Sequence, residues 1–177
     1  LTDHVVMSLE KVTTSILRGV DLQLHEGEIL GLGGLSGSGI HELGKVMAGL
    51  RKYSGSVKVY EEELKGVQHA MKNKIGYISK DRDVETLILN ESIQDNLTIS
   101  AWKLLEKYGF LILPKEEKQF AKEQIKQLNI KCSSEKQLVR ELSGGNKQKV
   151  SFGKIIGNKS KILILDSPTR GVDIGVK

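Results

Sequence analysis

The chain has 177 residues, 38 % of them apolar and 28 % charged, with a formal net charge of +5. That length carries one domain with a proper core, and that composition predicts a globular chain, not a disordered or membrane-spanning one. The single cysteine, Cys132, excludes an internal disulfide and fits a reducing compartment.

Residues 5–12 and 20–24 alternate apolar and polar side chains, the period of a half-buried strand. "HEGE" then turns the chain into "EILGLGG", whose low polarity predicts a short strand buried on both faces. After a glycine-rich loop, "IHELGKVMAGL" places Leu43, Val46, Met47 and Leu50 on one helical face. "SGSVKVY" is a further strand, "GVQHAMKNK" a short helix and "IGYIS" a buried strand.

Beyond Asp81 the pattern is helical and charged as far as residue 142, with Pro114 opening a helix on which Ala121, Ile125 and Leu128 share a face. "ELSGGNKQKV" starts another helix, and "KILILD" is a buried strand. The expected architecture is α/β, with antiparallel strands at the N-terminus, a mostly parallel core sheet and an inserted α-helical subdomain. Its segments are 1–83 and 143–177 for the core and 84–142 for the insertion. A start at Leu1 and a stop at Lys177, soon after the last strand, predict a piece cut from a longer chain. No basic-then-apolar leader opens the sequence, and runs such as "FLIL" and "ILIL" are too short to span a bilayer. The lysines mix with Glu, as in "KEEKQFAKEQIKQ", without interleaved aromatics, so a solvated surface is expected and nucleic acid is not.

"GLSGSGIHEL" has the spacing of a phosphate loop: Gly34 and Gly39 enclose Leu35, Ser36, Gly37 and Ser38. The lysine and the hydroxyl that should follow are replaced by Ile40 and His41. Backbone amides can still converge on an anion at the helix end, but losing one charge-assisted bond costs about 1.5–3 kcal/mol. Lys45 lies nearly two turns further along the helix and is a poor substitute. A dinucleotide turn is a rival on this stretch, with Gly31-x-Gly33, Ser36 in the third position and Glu61 as a ribose-binding acid. A turn needed only for packing is another.

"LSGGNKQKV" puts Ser143 where it would cap a helix, with the amides of Gly144 and Gly145 facing outward as an anion seat. "KILILDSPTRGVD" ends an apolar strand in Asp166, a carboxylate that could hold Mg2+ or merely cap a helix.

In this order the stretches resemble the nucleotide-binding domain of ABC transporters, over essentially the whole chain. More narrowly, "EGEILGLGGLSGSGIHEL", "IGYISKDR" and "DSPTRGVD" resemble the C-terminal ATPase half of importers for ribose, galactose, xylose and similar sugars or nucleosides. The resemblance implies a P-loop NTPase-like core, with ATP and Mg2+ as ligands. Each ATP is sandwiched between the phosphate loop of one half and the LSGG of the other. Ser143, Gly144, Gly145 and Gln148 would then serve an ATP held by a second nucleotide-binding domain, Asp166 would hold Mg2+, and Asp173 would cross to the other half.

Against that family the chain's own site is degenerate. Besides Ile40 and His41, Ser167 replaces the glutamate that polarises the attacking water. Lys80 takes the usual glutamine position, and no aromatic ring precedes Tyr53 to stack on adenine. Loss of a general base alone typically costs about 10²–10⁴-fold in rate, so impaired hydrolysis is expected here. His4, His25, His41 and His69 do not match the family's phosphate-sensing histidine and read as surface or structural. The implied partners are the second nucleotide-binding domain, transmembrane permease subunits facing residues 81–100 and, indirectly, a substrate-binding protein. The implied location is peripheral, on the cytoplasmic face of the plasma membrane. A non-catalytic scaffold docked to membrane subunits is the rival from another class; a DNA- or RNA-linked member of the superfamily is a third.

Overall fold

Alternation along the first strand builds a sheet with one buried face. The computed structural model describes residues 2–109 and 111–169, and the chain divides into two compact units, Leu1–Ile75 and Gly76–Lys177. In the first unit β1 (Val5–Thr13) pairs antiparallel with β2 (Val20–His25). A helix, α1 (Ile40–Met47), precedes β3 (Ser54–Val59), which flanks β1 on its other side. The short β4 (Glu62–Glu63) extends the sheet to the order β2-β1-β3-β4, and α2 (Val67–Lys72) follows. Met7 lies opposite Leu24 and Val59, and Leu9 opposite Leu22 and Val57. Met7, Leu9, Val12, Val57 and Val59 form the buried face, and α1 buries Leu43, Val46 and Met47. The register slips between Glu10 and Thr13, where β1 bulges. Gly55 faces that bulge at φ 96°, and a Cβ there would come within 2.5 Å of the Lys11 carbonyl, so only glycine fits.

One expected strand is missing. "EILGLGG" has no regular structure, and its apolar residues are exposed, Ile29 by 99 % and Leu35, just beyond it, by 88 %. A strand exists only through its neighbours' hydrogen bonds, and none of the described strands pairs with this segment. Low polarity reported a preference for burial without supplying the partner. Leu50 likewise falls beyond α1 and is exposed.

The second unit opens with most of β5 (Ile75–Ile78), then α3 (Arg82–Glu85), α4 (Ile93–Ile99), α5 (Trp102–Leu105) and α6 (Pro114–Gln127). After a 3-10 turn at Val139–Glu141 come α7 (Gly144–Gly157) and β6 (Ile162–Leu165), which pairs with β5 as a parallel sheet. Ser92 and Asp95 form a capping box at the start of α4, and Pro114 stands at the start of α6 as its fixed φ allows. The core gathers Leu87, Ile93, Leu97, Ala121, Ile130, Val139, Leu142 and Val150, with Ile125 and Leu128 packed against it. Gly153 lets α7 approach α4 closely: a Cβ there would come within 2.4 Å of Leu97 Cδ2. β6 is half-buried, with Ile162 and Ile164 inward and Leu163 and Leu165 outward, not covered on both faces as its apolar run suggested. Among the described residues no helix is long and apolar enough to cross a membrane.

Candidate functional site

The glycine-rich loop belongs to the first unit and enters α1 through a turn in which Ser38 N–H donates to the Leu35 carbonyl at 3.0 Å. Gly37 and Gly39 both hold positive φ, 84° and 88°, which side chains resist. Within the loop, the two glycines at phosphate-loop spacing are also the two where a Cβ would be crowded. On Gly34 it would meet Ser38 Oγ at 2.6 Å, and on Gly39 it would meet Leu17 Cδ2 at 2.8 Å. The loop therefore folds tightly on itself, with Ser36, Gly37 and Ser38 exposed at its tip. Ile40 turns its Cδ1 toward Gly34. His41 stands in the first turn of α1, and imidazole is a poor ligand for the hard Mg2+ ion.

In the second unit, Ser143 stands just before α7, with the extended φ and ψ of a cap but no capping hydrogen bond from its side chain. This corrects the sequence expectation. Asn146 takes the hydroxyl instead, donating from Nδ2 to Ser143 Oγ at 3.0 Å. The first bond within the helix runs from Lys147 N–H to the Ser143 carbonyl, so the amides of Gly144, Gly145 and Asn146 remain for a ligand or water. They concentrate the positive end of a fourteen-residue helix beside an exposed hydroxyl.

Gln148 is placed differently from Ser143, Gly144 and Gly145. It is only 6 % exposed, and its Oε1 accepts from Arg82 Nη1 at 2.9 Å. Beside it, Lys147 Nζ pairs with Asp83 Oδ2 at 3.2 Å, and Asp83 Oδ1 lies 3.5 Å from Arg82 Nε. Two consecutive residues of α3 thus close a ring with two consecutive residues of α7. Lys154, further along α7, donates to the Thr86 carbonyl at the end of α3, and burial holds its pKa below the usual lysine value. With four residues and none of them buried, α3 could not stand alone. Arg82 and Asn146 lie within the stretches "IGYISKDR" and "LSGGNKQKV" but the sequence assigns them no role there, and Asp83 lies outside them; only spatial proximity shows their bonds.

Asp166 follows β6 and is 8 % exposed, its N–H donating to the Ile78 carbonyl at 2.9 Å. Ser167 Oγ donates to Asp166 Oδ1 at 3.3 Å, from a backbone at φ 51° that serine rarely adopts. Tyr77 on β5 has its pKa pushed up to about 12, by burial first and also by the negative charges of Asp166 and Glu85, with the nearby Ser79 hydroxyl opposing. A lone strand-end carboxylate fits Mg2+ that takes its remaining ligands from phosphate and water, and the described residues hold no cluster of three or more metal-binding side chains. Asp173 lies outside the described residues, as does the rest of the "TRGVD" stretch after Thr169. Loop residues 34–41 sit in one unit, and Ser143, Gly144, Gly145, Gln148, Asp166 and Ser167 in the other.

The sequence profile of the family described as ABC transporter matches residues 17–170. A ribose import ATP-binding protein RbsA from Lactococcus lactis subsp. cremoris (strain SK11) is 39 % identical over 177 residues, covering 98 % of this chain and 36 % of that protein. Another, from Bacillus cereus (strain ATCC 14579), is 40 % identical over 161 residues, covering 89 % of this chain and 32 % of that protein. The chain thus spans about a third of the length of these curated relatives. Among solved structures, the dimeric post-hydrolysis state of the ATP-binding cassette MJ0796 bound to ADP and Pi superposes with a TM-score of 0.80 at 22 % identity, covering 96 % of this chain and 77 % of that one. At that identity the likeness concerns the fold.

Proposed function

The chain belongs to the ABC transporter family as an ATP-binding domain, and on that premise we propose that it energises a ribose-type importer of sugars or nucleosides by serving an ATP that a second nucleotide-binding domain holds. The observation that carries this reading is an asymmetry between its two anion seats. At the head of α7 the amides of Gly144, Gly145 and Asn146 and the Ser143 hydroxyl are all available to a phosphate. At the loop, Ile40 brings a methyl group where the family brings an ammonium, and His41 replaces the metal-binding hydroxyl.

Of the residues the family uses for its own ATP, the chain keeps only some. Gly34, Ser36, Gly37, Ser38 and Gly39 still make an amide-lined turn, with Ile40 and His41 at the helix entrance. Asp166 would hold Mg2+, which when bound neutralises phosphate charge. Ser167 cannot accept a proton at neutral pH as a carboxylate can. Hydrolysis at this loop is therefore slow, and the contribution of the domain is the signature surface at Ser143. Gln148 supports that surface from behind, and Asp173 belongs to the same inter-domain contact. Residues 84–142 act as the helical subdomain, and residues 81–100 face permease subunits, at the cytoplasmic face of the membrane and in line with a separate substrate-binding protein.

The test is Ser143→Arg in the assembled importer. A bulky cation at the head of α7 should abolish turnover of the partner's ATP while leaving the melting temperature unchanged. Unchanged turnover would instead favour a scaffold that only docks to membrane subunits, and steeply salt-dependent DNA binding would favour the nucleic-acid-linked branch.

A further inference from the structure

Asn146 occupies the third position of α7 and makes two side-chain hydrogen bonds that fix each other's direction. The backbone N–H of Lys131 donates to Asn146 Oδ1 at 2.9 Å. A backbone N–H can only donate, so the atom facing it must be the carboxamide oxygen. The NH2 group must then face Ser143 Oγ, 3.0 Å away, and Ser143 must be the acceptor. A hydroxyl that accepts on this side keeps its own proton for another direction. Among the described residues nothing takes that proton, and Ser143 is exposed at the head of the helix.

We propose that Asn146 is a positioning residue that orients the Ser143 hydroxyl as an outward donor to a phosphoryl oxygen of the ATP bound by the partner domain. The chain of control begins at the Lys131 amide, passes through the carboxamide and ends at the serine proton. It rests on the trans reading of the signature surface given above. The Gly144, Gly145 and Asn146 amides are donors by nature, whereas a hydroxyl can present either a proton or a lone pair. Only the serine needs to be told which to show to an anion.

The test ranks two substitutions in the assembled importer, with MgATP as the substrate. Asn146→Asp keeps the acceptor for Lys131 N–H but has no N–H to give Ser143, so the hydroxyl turns inward and donates to the carboxylate. An acidic residue in the first turn also suits the helix dipole, so the fold is retained. Asn146→Ala removes both bonds and leaves the hydroxyl free to rotate. The expected order of kcat is wild type, then Asn146→Ala, then Asn146→Asp, the last reduced about tenfold or more with KM changed less than about twofold. A purely structural brace would give the reverse order for the two variants, because alanine loses more contacts than aspartate does, and that order overturns the proposal. In a Ser143→Ala background, Asn146→Asp should have little further effect. An equal loss in both backgrounds would mean that its charge repels the phosphate directly, which also overturns the proposal. If Ser143→Arg leaves turnover intact, the trans reading fails and the role of Asn146 falls with it. A loss in Ser143→Arg with full activity in Asn146→Asp defeats the positioning role alone.

Discussion

Arg82 Nη1 donates to Gln148 Oε1 at 2.9 Å, tying the short helix after β5 to the second turn of α7. The same two helices are joined again by Asp83 and Lys147 and by Lys154 and Thr86. Residues far apart in sequence therefore share one polar seam.

Removing Arg82 should cost more than removing its charged neighbour. Arg82→Ala leaves the buried Gln148 carboxamide without this donor, a penalty of about 1–3 kcal/mol. The Asp83–Lys147 pair is worth less than about 1 kcal/mol, because Asp83 is nearly half exposed. Urea unfolding of Arg82→Ala and Lys147→Ala should show this difference. Hydrogen exchange should also show faster opening of α3 in the first variant.

Gly153→Ala should destabilise the second unit by about 1–3 kcal/mol, since the new methyl group overlaps the space of Leu97 and Leu128. Leu97→Val in the same chain should recover part of that loss. A double-mutant cycle measured by thermal unfolding checks it, and strict additivity would contradict the close approach of α4 and α7.

Tyr77 predicts a specific alkaline weakness. Its pKa in the folded chain is about 12, against a usual value of 10.0. Above the usual value the unfolded chain releases the phenolic proton while the folded chain keeps it, so unfolding is favoured. The stabilising contribution is present in full below pH 10 and is lost as pH rises toward about 12. Tyr77→Phe should flatten the fall in stability across that window, measured as the difference in unfolding free energy at each pH.

The loop should answer to restored chemistry. Calorimetric titration of MgATP into the full chain should show weak binding or none, and Ile40→Lys should tighten it about tenfold or more. Micromolar binding by the unaltered chain would return an own-site role to the loop.

Much of this was legible along the chain. The alternation in residues 5–12, the proline at the head of α6 and the spacing of Gly34 and Gly39 report local preferences, and each appears in the structure as a strand, a helix and a tight turn. The segment "EILGLGG" did not follow its apolar composition, because a strand needs a neighbour that local sequence does not contain. Ser143 was legible as a helix start but not in its bonding, because the side chain that captured it is itself aimed by Lys131.

By itself, then, the sequence determined the family, the glycine spacing of the loop with Ile40 and His41 after it, and the Ser143-Gly144-Gly145 run at a helix start, since these depend on residue identity and spacing. Only the tertiary structure decided that Gln148 is buried against Arg82, that α7 needs Gly153 to meet α4, and that Asn146 governs the direction of a hydroxyl proton. Those are relations between groups brought together by packing, and hydrogen-bond direction is settled where donors and acceptors meet in space.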